Sequence, residues 1–323
     1  QNKVNFFAAG MLNQRKSIST GTTTRENRGA KSVFSEQNDK NTMEGTFGFG
    51  RAGFDYFINN RNTITLSGSM ARGNMNPYGI SRITTDLDYN KVNDSLQIRN
   101  SDSENEFRNW GSQLSFKHNF PKAGREWTAD VTYNEGRNES SNFITNDYYA
   151  LPGEVFNRQF QTRQISGGNN QNLVIQTDYT NPINDKSKFE FGARASIRRF
   201  ENAQDFFVVN NGVETSRPGQ NIVFKSDDRI YATYASYSNR IKNFGYQLGL
   251  RAESSNYDGD LISTKESFNT EFPVSLFPSV FLSQKLSDFA DLQLNYSRRI
   301  NRPGFWQLFP FYELTDSLNI SKG

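Results

Sequence analysis

His118 is the one histidine of the chain, and a hydrolytic site built on it would need a Ser or Asp beside it, with both facing a common cleft. Strand parity puts His118 on the apolar face of its segment next to a turn, which makes it an interfacial residue in place of a general base. Gly48-Phe49-Gly50-Arg51-Ala52-Gly53 matches the dinucleotide pattern G-x-G-x-x-G. It sits inside one strand-like run and is followed by another, so no helix terminus is there to receive a phosphate. Small residues easing the curvature of a sheet explain it better. Asp86, Asp88, Asn90 and Asp94 are spaced as in an oxygen-rich calcium loop. The EF-hand pattern fails, because Lys91 stands where glycine is required and Gln97 where the bidentate Glu belongs. A loop calcium site of another type and a plain solvated loop both stay open.

The remaining candidates are arginines and aromatics. Arg194, Arg198 and Arg251, with Glu190 and Glu253, fall on the polar positions of alternating segments, and Arg299 and Arg302 extend the set toward the C-terminal end. On a wet inner wall they would grip an internal plug domain or an anionic solute. Mutual salt bridges between neighbouring strands are the plainer alternative. Trp306, with Phe309, Phe311 and Tyr312, would stack on a ligand or pack the base of a loop.

The elements that must position these residues are clearest in Gln113 to Tyr133, QLSFKHNFPKAGREWTADVTY. Leu114, Phe116, His118 and Phe120 alternate with Ser115, Lys117 and Asn119. After PKAGR, Trp127, Ala129, Val131 and Tyr133 alternate with Thr128, Asp130 and Thr132. Period-2 alternation around a short turn is a β-hairpin with one apolar face. That face meets either a second sheet in a soluble sandwich or lipid in a membrane barrel.

Composition narrows the choice. Hydrophobic residues make up 34% of the 323, aromatics 14%, with 28 Phe and 14 Tyr. That is polar for a thick core and rich in rings for so polar a chain. No apolar run reaches the roughly 18 residues of a membrane-crossing helix; barrel strands show alternation alone. The net charge of +3 comes without a basic block, so nothing argues for nucleic acid. The absence of cysteine removes disulfide frameworks and thiolate metal sites. No cofactor motif stands up, and QNKVNFFAAG lacks the features of a signal peptide, so export would be specified upstream.

Along the chain the alternation predicts about eleven strands. Tight turns fall near 59, 122, 185, 242 and 288, and longer polar insertions between them, notably 75–103, 140–170 and 203–226. Phe47 and Phe49 lie on one parity and Phe54 and Tyr56 on the other, which predicts a bulge near Gly53. Short turns alternating with long insertions are the rhythm of an up-and-down membrane barrel. Tyr56, Phe57, Phe120, Trp127, Phe189, Phe244 and Phe289 recur beside the short turns, where an interfacial belt would sit. The expected fold is an all-β, antiparallel, up-and-down transmembrane barrel. An odd strand number leaves edges that lipid cannot satisfy, so residues 1–323 are expected to be a partial barrel closed by further strands.

The segment YSRRINRPGFWQLFPFYELTDSLNISKG, Tyr296 to Gly323, resembles the outer-membrane β-barrel region of Bacteroidetes-type TonB-dependent receptors. The resemblance is carried by Arg299, Asn301, Arg302, Pro303, Leu308, Pro310, Phe311, Asn319, Ile320, Ser321 and Gly323, and FPSVFLSQKL at Phe277 to Leu286 adds to it. It implies a 22-stranded barrel in the bacterial outer membrane with a plugged lumen. It also implies a plug domain and a TonB-binding segment, neither of which is in this sequence, a solute bound at the outer loops, and in related systems a surface lipoprotein partner. It does not imply an enzyme. A barrel serving as a platform for surface lipoproteins or secretion machinery is the alternative.

Overall fold

The computed structural model describes residues 3–28, 32–87, 92–217, 221–301, 312–316 and 319–322. The strands are β1 (Val4–Arg28), β2 (Ser32–Asn59), β3 (Asn62–Asp86), β4 (Ser95–Asn119), β5 (Glu126–Ala150), β6 (Val155–Asn184), β7 (Ser187–Asn210), β8 (Val213–Ser216), β9 (Ile222–Ile241), β10 (Phe244–Leu261), β11 (Glu266–Lys285), β12 (Asp291–Ser297), β13 (Tyr312–Asp316) and β14 (Asn319–Lys322). β1 to β12 form one 12-stranded antiparallel sheet in chain order, with the short β8 off the path on β7; β13 and β14 pair separately. Removing β8 leaves the eleven strands that the alternation predicts.

Register places every apolar parity on the same side of this sheet. Phe54 pairs with Leu66, Leu66 with Leu114, Leu114 with Val131, Val131 with Ile175, Ile175 with Ala195 and Ala195 with Tyr231. These side chains touch only their neighbours along the same face and stay about half exposed: Leu114 is 49% exposed, Ile175 47% and Leu250 50%. A sheet that turns a continuous apolar face outward is a membrane wall, since in water the same area would cost about 25 cal/mol per Å².

The belt has limits. On β7 it runs from Phe189 to Ile197 and is followed on the same face by Arg199 and Glu201. That run spans roughly 26 Å at about 3.3 Å per residue, close to the about 25 Å apolar band of membrane barrels. Rings mark both edges. Tyr56, Trp127, Phe189 and Phe244 lie toward the short turns, and Trp110 and Tyr133 toward the other end, with ring centroids 5.1 Å apart.

The turn ends are built locally. Asn59 Oδ1 accepts hydrogen bonds from the backbone N–H of Arg61 and Asn62 at 2.9 and 3.0 Å, and Asn184 Oδ1 does the same for Lys186 and Ser187 at 2.9 Å each. Such side-chain-closed turns fit the short periplasmic connections of outer-membrane barrels. At the opposite end the strands continue far past the belt: from Asn134 to Ala150, β5 runs on for roughly 55 Å.

Two expectations change. The polar insertions at 75–103, 140–170 and 203–226 are mostly strand, and the turn between β5 and β6 has shrunk to 151–154. Above the belt both faces of a strand are polar, so alternation of apolar residues vanishes while the backbone ladder continues. Nor is there a bulge at Gly53. Phe7 pairs with Gly53 and Gly53 with Ser67 in unbroken register, and the shift in β2 lies between Phe57 and Asn59. Phe47 and Phe49 simply face the other side of the wall. A Cβ on Gly53 would come 2.6 Å from Phe7 Cζ and 2.5 Å from the Leu66 carbonyl oxygen, so the glycine makes room for the Phe7 ring across the ladder.

Candidate functional site on the lumen wall

The face opposite the apolar belt carries the candidate residues. In the inner part of β6, β7, β9 and β10 the ladder aligns Asp178, Gly192, Tyr234 and Arg251 in one row and Gln176, Arg194, Ala232 and Glu253 in the next. Gly192 matters sterically. A Cβ there would lie 2.6 Å from both the Tyr234 hydroxyl and Asp178 Oδ1, so its absence lets the Tyr234 hydroxyl cross β7 and donate to Asp178. Gln176 Nε2 donates to the other oxygen of Asp178 at 2.7 Å, and Gln176 Oε1 accepts from Arg194 Nη1 at 3.4 Å. Arg251 lies over the Tyr234 ring, 5.8 Å from its centroid, and donates to Glu253 at 2.8 and 3.0 Å. Each guanidinium keeps donors beyond those it uses here, because arginine carries five.

Farther out, Arg198 Nε donates to Asp228 Oδ2 at 2.8 Å. Asp228 is paired across the ladder with Tyr257, whose buried hydroxyl has no hydrogen-bond partner among the described residues. Tyr257 lies beyond the belt, and burial raises its phenol above the ordinary pKa. On β4 and β5 the same face carries the Lys117–Glu126 ion pair at 2.6 Å, while Ser115 Oγ donates to Asp130 at 2.5 Å and Gln113 Nε2 to Ser115 Oγ at 3.2 Å. The arrangement holds charge by fixed hydrogen bonds and leaves guanidinium donors facing the lumen. It suits docking of carbonyl or carboxylate oxygens.

Of the residues singled out from the sequence, Arg194 and Arg251 come together around Tyr234, with Glu253 as the partner of Arg251. Arg198 is held separately by Asp228. Glu190 pairs with Lys188, 2.8 Å away. Arg299 follows the end of β12, exposed, and does not join the cluster. Arg302 and Trp306 lie outside the described residues, as do the side chains of Phe309, Phe311 and Tyr312. Asp178, Gln176, Tyr234 and Asp228 are the residues that sequence reasoning missed. Their parity marked them as wall-facing, but their proximity depends on which residue of the next strand stands opposite.

His118 stays on the apolar face, with Nδ1 2.6 Å from Asn62 Oδ1 and its ring 4.3 Å from that of Phe120, edge on. The acidic loop is only partly visible: Asp94 Oδ2 accepts from the Leu87 N–H at 2.8 Å, while 88–91 lie outside the described residues. Among the described residues no group of three or more His, Asp or Glu side chains is placed to hold a metal.

Solved structures with a similar course include the ferric citrate transporter FecA in the unliganded form, at 11% identity and a TM-score of 0.44, covering 88% of this chain and 43% of that one. The outer membrane protease OmpT from Escherichia coli is 11% identical, TM-score 0.24, with 89% and 96% covered. The translocator domain of the autotransporter NalP from Neisseria meningitidis is 11% identical, TM-score 0.25, with 92% and 82% covered. The chain thus spans less than half the length of the FecA chain. No curated protein matches it. The model of the outer membrane protein beta-barrel family matches residues 118–323, from the turn end of β4 to the last residue. With that match over most of its length and an outward apolar belt bounded by rings, the chain belongs to the outer membrane protein beta-barrel family and is a wall of the bacterial outer membrane.

Proposed function

We propose that this wall is part of a TonB-dependent receptor of Bacteroidetes type, whose 22-stranded barrel binds a solute at its outer mouth and admits it when an internal plug region moves. The observation that carries the reading is the lumen network of Arg194, Gln176, Asp178, Tyr234, Arg251 and Glu253. Water needs no such fixed array; a folded plug with its own carbonyls and carboxylates uses it. The Arg-x-Asn-Arg-Pro sequence at Arg299 to Pro303 supports the same reading. So do the far edges of β1 and β12, which have no partner among the described residues, because a wall in lipid must close.

The test is photo-crosslinking in cells producing the full-length polypeptide, with the crosslinker at Arg194 and at Arg251. The expected product is an intrachain link to a plug region, accompanied by retention of the purified protein on the periplasmic domain of TonB. Links to a separate surface protein, with no TonB retention, would replace this reading by a platform barrel, which the tall wall beyond the belt also suits.

A further inference from the structure

The lipid-facing side of the wall changes character where the apolar belt ends on its tall side. After Met70 on β3 the next outward residue is Arg72, and after Trp110 on β4 it is Arg108. After Ile197 on β7 it is Arg199, and after Tyr231 on β9 it is Arg229. At the short-turn end the corresponding outward positions are Tyr56, His118, Trp127, Asn181, Asn239 and Phe244, and none is Arg, Lys, Asp or Glu. Arg125, in the turn before β5, donates to Asn181 Oδ1 at 2.8 Å and lies over the Phe120 ring.

On β3, β4 and β5 the charges past the belt are sorted by height. Arg72 stands directly opposite Arg108, and Arg108 opposite Arg137. One row farther from the membrane, Asn74 stands opposite Glu106, and Glu106 opposite Glu139. Like charges facing one another across a ladder are destabilising, and exchanging Glu106 with Arg108 would turn each of these contacts between charges into an opposite-charge pair. Instead the guanidiniums line up at the lipid edge and the carboxylates on the water side. Their ion pairs run diagonally between the rows, Arg72–Glu106 and Arg108–Glu139 at 4.0 Å and Arg137–Glu139 at 2.9 Å, and all three arginine side chains are more than half exposed. Glu135, on the membrane side of Arg137, accepts a hydrogen bond from the Tyr133 hydroxyl at 3.0 Å. An arginine carries five donors, more than these contacts use.

We propose that the row Arg72, Arg108 and Arg137 binds the phosphate of a phosphorylated glycolipid in the outer leaflet around the wall. The inference goes beyond the receptor reading and rests only on the chain being an outer-membrane wall. A phosphate supplies the negative charge that facing guanidiniums need and accepts paired hydrogen bonds from each. The acyl chains of the same molecule then lie along Met70 and Trp110, which pair across the ladder immediately below Arg72 and Arg108. Beside Arg137, where Gly167 and Ala203 are small, a groove of about 800 Å³ carries Glu139 and Glu201 on its lining. Headgroup sugar hydroxyls donate to those carboxylates. A soluble acidic protein arriving from the medium would meet the glutamate row first, whereas a lipid reaches the arginines from the membrane side.

The test uses the full-length protein in uncharged detergent, titrated with diphosphoryl lipid A and followed by native mass spectrometry. The same lipid with its phosphates removed, phosphatidylglycerol and inorganic phosphate serve as the other arms. Diphosphoryl lipid A is expected to bind, and the dephosphorylated lipid about tenfold more weakly. R72Q/R108Q should weaken lipid A binding about tenfold, while Lys122→Gln, in a short turn, leaves it unchanged. E106R/R108E keeps the composition and makes the facing charges complementary, so it should fold, as heat-dependent gel mobility checks, and still lose lipid A binding. If it does not fold, R72Q/R108Q decides. Lipid A binding insensitive to these arginine variants overturns the site, and equal binding of the dephosphorylated lipid overturns phosphate recognition. Equal binding of phosphatidylglycerol or inorganic phosphate overturns the glycolipid assignment. Silence on every arm overturns the proposal and leaves the receptor reading to its own plug and TonB links.

Discussion

Arg198 on β7 and Asp228 on β9 are direct partners across the ladder, and their burial is unequal: the Asp228 side chain is 4% exposed and that of Arg198 49%. The carboxylate therefore depends on the guanidinium for nearly all its compensation. Arg198→Ala is expected to destabilise the folded barrel by about 2 kcal/mol, because it strands a buried charge, with the half-exposed partner keeping the figure modest. R198A/D228N should recover part of the loss in urea unfolding from micelles. Equal loss in both variants would show that the pair contributes packing alone.

Val131 and Thr132 are neighbours on β5 that face opposite sides of the wall. Val131→Arg or Ala193→Arg should impair assembly by about 2 to 4 kcal/mol near the bilayer midplane, while Thr132→Arg is tolerated better. Quantifying heat-modifiable, folded protein in membranes checks this. Equal tolerance on both faces would sink the lipid-facing assignment.

Gly53 and Gly50 lie three residues apart on β2 under different constraints. A Cβ at Gly53 would collide with Phe7 and the Leu66 carbonyl, whereas one at Gly50 has nothing within 4 Å. Gly53→Ala should cost about 1 to 3 kcal/mol and Gly50→Ala far less. F7A/G53A should regain stability relative to Gly53→Ala. If the two single variants unfold alike, the ring does not fill the glycine's space.

The two ends of the wall are distinguishable from outside the cell. Single cysteines at Asp94 and Asn211, on the tall side, should react with an impermeant maleimide on intact cells. Those at Lys122 and Asp185, in the short turns, should react only after lysis. The reverse pattern would invert the wall.

Much of this protein was legible from one-dimensional pattern. Alternation at Trp127, Ala129, Val131 and Tyr133 defines a lipid-facing strand, and Asn59 and Asn184 mark tight turns, because side-chain parity and turn chemistry are local. Arg194 and Arg251 could be assigned to the lumen for the same reason. What the tertiary structure decided is everything that depends on register. Tyr234 meets Asp178 only because Gly192 stands between them on β7, and Asn138 covers Gly168 only because those two positions fall opposite. Parity says which side a residue faces. The continuation of the strands through 140–170 likewise came from the ladder, since backbone pairing with equally long neighbours leaves no apolar period for a sequence to display.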